Sequence, residues 1–476
     1  MYILMVIVFI LGYLGIALEH NIKVDKAASA LLTGVLVWTF FVFGADSILG
    51  VDFSWNVDEF IANAGQYIKG LQEYVLGLSP DDIHHADDSV STLTNHFIIH
   101  ELEHHVIEIA EILFFLIGAM TIVELIDAHE GFSVITDKIK TTKKVPLLWI
   151  LSVLTFFFSA ALDNLTTAIV MSALLKKLIK DKNDLWLFAG MVIVAANAGG
   201  AWSPIGDVTT IMLWIGGQIT AGSVVQNVIL PSMIATLVPL TILSFTLKGH
   251  VQRPNAHEDE HHSNPTTNKE RNIVFFLGVG SLLFVPVFKT VTHMPPFMGI
   301  LLGLGIMWLV TEIIHRSKNT EDKSKLSVIS VLRKIDTPSV LFFLGILIAV
   351  AGLQSAGHLV QLATVLENQV GDIYVINIII GLLSAIVDNV PLVAGAMGMY
   401  EVGPLVQGVA YPTDHTFWEF LAYCAGTGGS CLIIGSAAGV AVMGIMKIDF
   451  VWYLKKVSFL ALMGYLAGAV TYILLF

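Results

Sequence analysis

Charge is scarce in this sequence. Asp, Glu, Lys and Arg make up 13% of the 476 residues, against about 25% in soluble domains. That deficit excludes an ordinary water-soluble fold. Cysteine is nearly absent too. Cys424 and Cys431 stand seven positions apart, roughly 10 Å by helical rise, which is too far for a disulfide, so no redox or metal role is expected of them. No Walker A glycine loop occurs, so ATP is not the expected energy source, and no haem or redox motif is present. Neither a cofactor nor an enzymatic activity is expected. The segment 2–18 lacks a basic leader and a small-residue cleavage site, with Lys23 and Lys26 only following it. It reads as a first spanning helix rather than a signal peptide.

What the chain does have is apolar length. Hydrophobic residues are 55% of it. Runs long enough to cross a bilayer as helices, about 20 residues, fall near 2–19, 27–45, 107–127, 228–247, 273–290, 297–314, 338–357 and 457–476. The expected class is an all-α polytopic membrane protein with the lipid bilayer as its partner and no nucleic acid. Two regions are not simple spans. Residues 146–179 form two apolar arms broken at Asp163-Asn164, with Lys143, Lys144, Lys176 and Lys177 at the outer ends. That is the pattern of a re-entrant hairpin with its tip at membrane depth. Residues 374–400 repeat it, broken at Asp388-Asn389. Two further helices are interrupted, by N-A-G-G-A-W-S-P-I-G-D at 197–207 and by G-T-G-G-S-C-L-I-I-G-S at 426–436. Glycine pairs and Pro204 break helices, and non-helical backbone at depth needs protein or a wet cavity around it.

These features come in pairs. S-A-A-L-D-N (159–164) matches S-A-I-V-D-N (384–389), F-F-L-I-G-A-M (114–120) matches F-F-L-G-I-L-I (342–348), and the two glycine breaks align, at offsets of 225, 228 and 229 residues. The near-constant offset predicts an internal repeat: 1–250, a cytoplasmic linker 251–271, and 272–476, with an acidic external insertion at 45–106. Each half crosses five times if the hairpins return to their own sides, which makes the second repeat inverted. With both termini outside, the inner loops collect every Lys and Arg except Lys69 and Lys289, as the positive-inside rule requires. Inverted repeats with broken helices near the midplane are the architecture of many secondary transporters.

An ionisable group at membrane depth is expensive and marks function. The tips supply Asp163, Asn164, Thr166, Thr167, Ser384, Asp388 and Asn389. The breaks supply Asn197, Ser203, Asp207, Thr209 and Thr210 in one half, and Thr427, Ser430 and Ser436 in the other. The set is rich in oxygen, negatively charged, and without Lys or Arg. Hard cations take oxygen ligands, so Na⁺ or Li⁺ is the expected cargo, centred on Asp163, Asn164, Asp388 and Asn389. A carboxylate withdrawn from water holds a proton more tightly, so H⁺ and Na⁺ compete for one site. With alternating access that competition gives exchange. Two carboxylates against one Na⁺ would make it electrogenic, two protons in for one Na⁺ out. The Asp-Asn pairs also suit the caps of the second hairpin arms, a role compatible with ion binding.

Three acids of the third span, Glu111, Glu124 and Asp127, are candidate relays. His96, His100 and His104 recur at i, i+4, i+8 and put three imidazoles on one helix face near Glu101, Glu103 and Glu108. The readings are a solvated face, a pH sensor or a metal site. The H-E-D-E-H-H run at 257–262 reads as a polar linker.

S-A-A-L-D-N-L-T-T-A-I-V-M (159–171), A-N-A-G-G-A-W-S-P-I-G-D-V-T-T-I-M-L-W (196–214) and S-A-I-V-D-N-V-P-L-V-A-G-A-M (384–397) resemble NhaD-type sodium/proton antiporters of the ion transporter superfamily. The resemblance spans essentially the whole chain. It implies Na⁺ and Li⁺ extrusion driven by proton entry, usually at alkaline pH, across a bacterial inner membrane and in a homodimer. It also implies an ion site at Asp163, Asn164, Thr166, Asn197, Asp207, Thr209, Thr210, Ser384, Asp388, Asn389, Ser430 and Ser436. Related carboxylate carriers have Ser-Asn-Thr at the tips, where this chain has aspartate before the asparagine. The alternatives are a sodium-coupled carboxylate or oxyanion carrier, such as a citrate or arsenite transporter, and a membrane receptor without transport.

Overall fold

The computed structural model describes the whole chain except residues 18, 65–67, 78–88, 137, 255–265 and 387. The 257–262 cluster, and Asp81, Asp82, Asp87 and Asp88 of the 45–106 segment, lie outside the described residues. Among these, nine helices are long and apolar enough to cross a membrane. The chain is an all-α, multi-pass membrane protein.

In a bilayer each backbone N–H and C=O must be paired internally, which makes the apolar runs helical. The principal helices are α1 (Tyr2–Ala17), α2 (Lys26–Phe43), α3 (Val90–Ala128), α4 (Lys144–Leu162), α5 (Asn164–Leu178), α6 (Lys182–Ala201), α7 (Val208–Ile215), α8 (Ala221–Thr246), α9 (Asn268–Thr292), α10 (Pro296–Ile314), α11 (Thr337–Ser355), α12 (Ile373–Leu383), α13 (Asn389–Met399), α14 (Thr416–Gly428), α15 (Ala437–Met446) and α16 (Phe459–Leu475). Polar side chains at the run edges fix where they start. Asp25, Ser89, Asp181, Thr220 and Asp336 each accept a backbone N–H as N-caps, and Thr267 with Glu270 forms a reciprocal capping box on α9.

The third span differs from its sequence reading. It begins at Val90 rather than near 107 and runs 39 residues. Its polar first half hides it from a hydropathy window, yet Ser89 caps it and Leu93, Phe97 and Ile98 are buried along it.

The helices pack in two groups. In one, α2 lies along α11, α1 along α2, α9 along α10, and α3 meets α9, α10 and α11. The α2–α11 contact is close: a Cβ added to Gly345 would stand 2.5 Å from the Ala30 carbonyl carbon, and Trp38 Nε1 donates to the Ile348 carbonyl at 2.9 Å. In the other group, α4 packs on α5 and α6, α12 on α14, α8 on α16, and α5 on α15. The groups meet where α13 touches α11 and α7 touches α3. Burial separates the helices by role. The apolar window of α6 is 83% buried while that of α10 is 28%, so α6 is a core element and α10 faces its surroundings.

Candidate functional site

Four helix interruptions converge within the second group. At each of two junctions a helix stops and another starts on an Asp-Asn pair: α4 to α5 at Asp163-Asn164, and α12 to α13 at Asp388-Asn389. Beside them α6 breaks before α7, and α14 before α15. The serine that opens each six-residue motif ties its junction to the neighbouring break. Ser159 Oγ donates to the Ala196 carbonyl at 2.5 Å, and Ser384 Oγ to the Ala425 carbonyl at 3.2 Å. The glycines let the backbones touch. A Cβ on Gly199 would stand 2.2 Å from the Phe156 carbonyl oxygen, and one on Gly428 2.0 Å from that of Gly381.

The geometric centre is Asp207, the N-cap of α7, 1% exposed. Its Oδ1 accepts from the Thr209 N–H at 2.9 Å and the Thr209 hydroxyl at 3.0 Å. Its Oδ2 accepts from both junctions: from Asn164 Nδ2 at 2.6 Å and from Asn389 Nδ2 at 3.4 Å. Asn164 Nδ2 also reaches Asn197 Oδ1 at 3.2 Å. Asn197 in turn donates to Ser430 Oγ at 3.0 Å and to Ser436 Oγ at 2.8 Å. Seven of the sequence-derived residues (Asn164, Asn197, Asp207, Thr209, Asn389, Ser430 and Ser436) therefore form one buried network that spans both breaks and both junctions. Every donor to Asp207 is neutral, and it makes no ion pair among the described residues.

The other candidates sort differently. Asp163 turns its carboxylate to its own helix, accepting from the Thr166 N–H at 2.8 Å and the Thr166 hydroxyl at 2.7 Å. Ser203, Thr210, Ser384 and Thr427 donate to the carbonyls of Ala160, Asp207, Gly381 and Tyr423. They hold the breaks in shape. Thr167 Oγ1 is buried with no hydrogen bond. Asp388 Oδ1 accepts from the Val390 N–H at 3.1 Å, while its Oδ2 lies 3.8 Å from Lys26 Nζ. That lysine corrects the expectation of a site without Lys or Arg. Lys26 opens α2, 362 positions before Asp388, and in sequence it reads as a loop lysine.

Two cavities open beside α3, one along its middle and one at its C-terminal end. One of about 370 Å³ lies between Glu108 and Glu111 of α3, Met212 of α7, Val350 of α11 and Met397 of α13. The other, about 650 Å³, is lined by Asp127, Glu130, Lys177, Arg253 and Arg271. Of the three relay candidates, Glu111 and Asp127 thus border different cavities, and Glu124 pairs with Lys334 at 3.7 Å.

His96, His100 and His104 are exposed. Sequence reasoning missed their neighbour His105, which is buried, with Nδ1 3.4 Å from Glu108 Oε2 and Nε2 3.2 Å from Ser355 Oγ. His104, His105 and Glu108 are the one group on this helix close enough to hold a metal among the described residues. A second pair was also missed. His129 and His315 stack at the ends of α3 and α10, Nε2 to Nε2 at 3.0 Å. His129 Nδ1 lies 2.7 Å from the Leu125 carbonyl and so must carry the proton, which leaves His129 Nε2 to accept from His315. Burial is the largest cause holding both below the usual histidine range, His129 at about 4.

A family model described as citrate transporter matches residues 3–418. Sodium/proton antiporter 1 of Arabidopsis thaliana is 42% identical over 471 residues, 98% of this chain and 72% of that protein. Sodium/proton antiporter 2 of the same plant is 46% identical over 373 residues, 78% and 87% of the two chains. The Na(+)/H(+) antiporter NhaD of Vibrio cholerae is 32% identical over 400 residues, 79% and 80%. The motif strings, the polar centre and these matches agree: the chain belongs to the NhaD-type sodium/proton antiporters, within the wider family that the citrate-transporter model describes.

Proposed function

We propose that the protein exchanges Na⁺, or Li⁺, for H⁺ across its membrane, with Asp207 as the shared cation and proton site. The observation that carries this is the Asp207 carboxylate, buried and met at one oxygen by the asparagines of both junctions. A buried carboxylate without a fixed cation demands a proton or a mobile cation. The amides that donate to Asp207 present their oxygens after a half-turn, which suits Na⁺ coordination. Motion that separates the two helix groups would expose the network first to one cavity and then to the other. The names of the relatives support the same reading.

The finer features follow from it. The matched packing of α2 on α11 and α10 on α3, and of α4 on α6 and α12 on α14, supports two inverted repeats, 1–250 and 272–476, joined by 251–271. Each then carries a re-entrant hairpin, and both termini lie outside. Three carboxylates, Asp163, Asp207 and Asp388, leave room for more than one proton per Na⁺ and hence for electrogenic exchange. The exposed apolar faces of α9 and α10 suit lipid or the second copy of a homodimer.

The test is sodium-induced dequenching of a pH-sensitive dye in everted vesicles, wild type against Asp207→Asn. Wild type should respond to Na⁺ and Li⁺, and Asp207→Asn should fall to background while reaching the membrane. The description of the matching family model as citrate transporter keeps a second reading, a sodium-coupled carboxylate carrier. Uptake of labelled dicarboxylate without cation-driven proton flux would establish it instead.

A further inference from the structure

Lys26 is the first residue of α2, where Asp25 caps the helix by accepting from the Ala27 N–H at 2.8 Å. Its side chain does not turn outward to water. Nζ stands 4.4 Å from the ring centroid of Phe342, a fully buried residue of α11, and 3.8 Å from Asp388 Oδ2, with the two side chains 19% and 13% exposed. The close α2–α11 contact fixes both the lysine stem and the ring. Tyr13 of α1 also stands near enough to interact with Asp388. The ammonium thus belongs to one helix group and the carboxylate to the other.

The local sequence explains why Asp388 is free to take it. At the first junction the third residue of the following helix is Thr166, whose N–H and hydroxyl occupy both oxygens of Asp163. At the second that residue is Pro391, which offers neither donor. Asp388 is left with one backbone bond, from Val390, and an oxygen directed at Lys26.

We propose that Lys26 is a positioning residue of the exchange cycle, a tethered cation that balances Asp388 across the boundary between the helix groups and yields that carboxylate to the transported cation. The inference rests on the antiport reading and deepens it. Na⁺ that draws on Asp388 competes with an ammonium that can leave but not diffuse away. The pair also links the two groups only while that carboxylate is unclaimed, which couples occupancy to their separation.

The experiment compares wild type, Lys26→Gln and Lys26→Arg in everted vesicles, reading the apparent KM for Na⁺ separately from Vmax. Lys26→Gln removes the competitor, so its KM should fall by about two- to fivefold, the scale of a partly exposed ion pair, with a smaller change in Vmax. Lys26→Arg should restore the wild-type KM. A second readout is heat unfolding in detergent of Lys26→Gln, Asp388→Asn and the double variant, whose effects should be non-additive. An unchanged or raised KM in Lys26→Gln, or additive unfolding effects, overturns the proposal. Failure of the antiport reading is separately visible as a wild type without Na⁺-driven proton flux, and it removes the basis of this proposal as well.

Discussion

At the first junction Asp163 gives both carboxylate oxygens to Thr166 and sits at φ 85°, ψ 159°, a region that only glycine occupies readily. At the second, Asp388 has an ordinary extended backbone, φ −49°, ψ 135°, one backbone bond and a lysine partner. The same motif therefore does two jobs. Asp163 shapes its junction under strain, and Asp388 stays available to a cation. The asparagines that follow them converge on one oxygen of Asp207, but at 2.6 and 3.4 Å. A repeated motif predicts a repeated backbone course; the residue three places further on decides what its carboxylate does.

The widest test of this asymmetry is a pair of truncations. Asn164→Ala removes the shorter bond to Asp207 and takes the donor from Asn197 Oδ1, so it should weaken apparent Na⁺ affinity by about tenfold or more, since hydrogen bonds to charged groups are worth about 1.5–3 kcal/mol. Asn389→Ala should cost clearly less. Equal losses in vesicle titrations would mean the two junctions contribute alike. Next comes strain. Asp163→Gly and Asp163→Ala both lose the cap, but only glycine suits φ 85°, so the glycine variant should be more stable by about 1–3 kcal/mol in heat unfolding. Matched melting temperatures would remove strain from the account. A smaller effect, about 1 kcal/mol of added cap, is expected of Pro391→Thr, which gives the second junction the donors of the first. It should draw Asp388 from Lys26 but occupy its oxygens as Thr166 does those of Asp163, so the KM for Na⁺ should rise, opposite to Lys26→Gln; a KM like that of wild type would show that Pro391 does not govern the availability of Asp388. The last prediction is a control away from both junctions. His129 and His315 have folded pKa values below 6.5, so the folded state binds fewer protons than the unfolded one. Their contribution is complete above pH 6.5 and is lost as pH falls below it, for His129 towards about 4. Acid unfolding should shift equally in all junction variants and shrink in His315→Gln; the same acid sensitivity in His315→Gln would place its source elsewhere.

Much of the helical plan was legible in the sequence because lipid imposes it. The Asp-Asn pairs at 163–164 and 388–389 stand at helix starts, and the stretches 197–207 and 426–436 contain the helix ends at Ala201 and Gly428, the first running helical through its glycine pair before it breaks. The start of α3 was not legible, because its polar first half packs on protein rather than lipid. His105 escaped for a related reason: the i, i+4 spacing of His96, His100 and His104 defines a stripe but not which stripe faces a neighbour. In the candidate site, seven of the expected residues meet in one network, but which of them stands at its hub was not readable. Asp207 stands out from its counterpart Ser436 by its charge, but its contact with both asparagines depends on two helices meeting end to end. Lys26 was invisible as a site residue because nothing local to it announces Asp388.

The Asn197 side chain has a consequence for how the protein is made. It is buried, and two of its partners, Ser430 and Ser436, are synthesised 233 and 239 residues later. At about 5–20 residues per second that is a wait of roughly 12–48 s. For that time an amide built for the centre of the molecule has only first-half neighbours. The nascent first half must keep the α6 break near the insertion machinery or in contact with water, so a slow or truncated second half would hand quality-control proteases an unfinished polar seam rather than a stable half-protein.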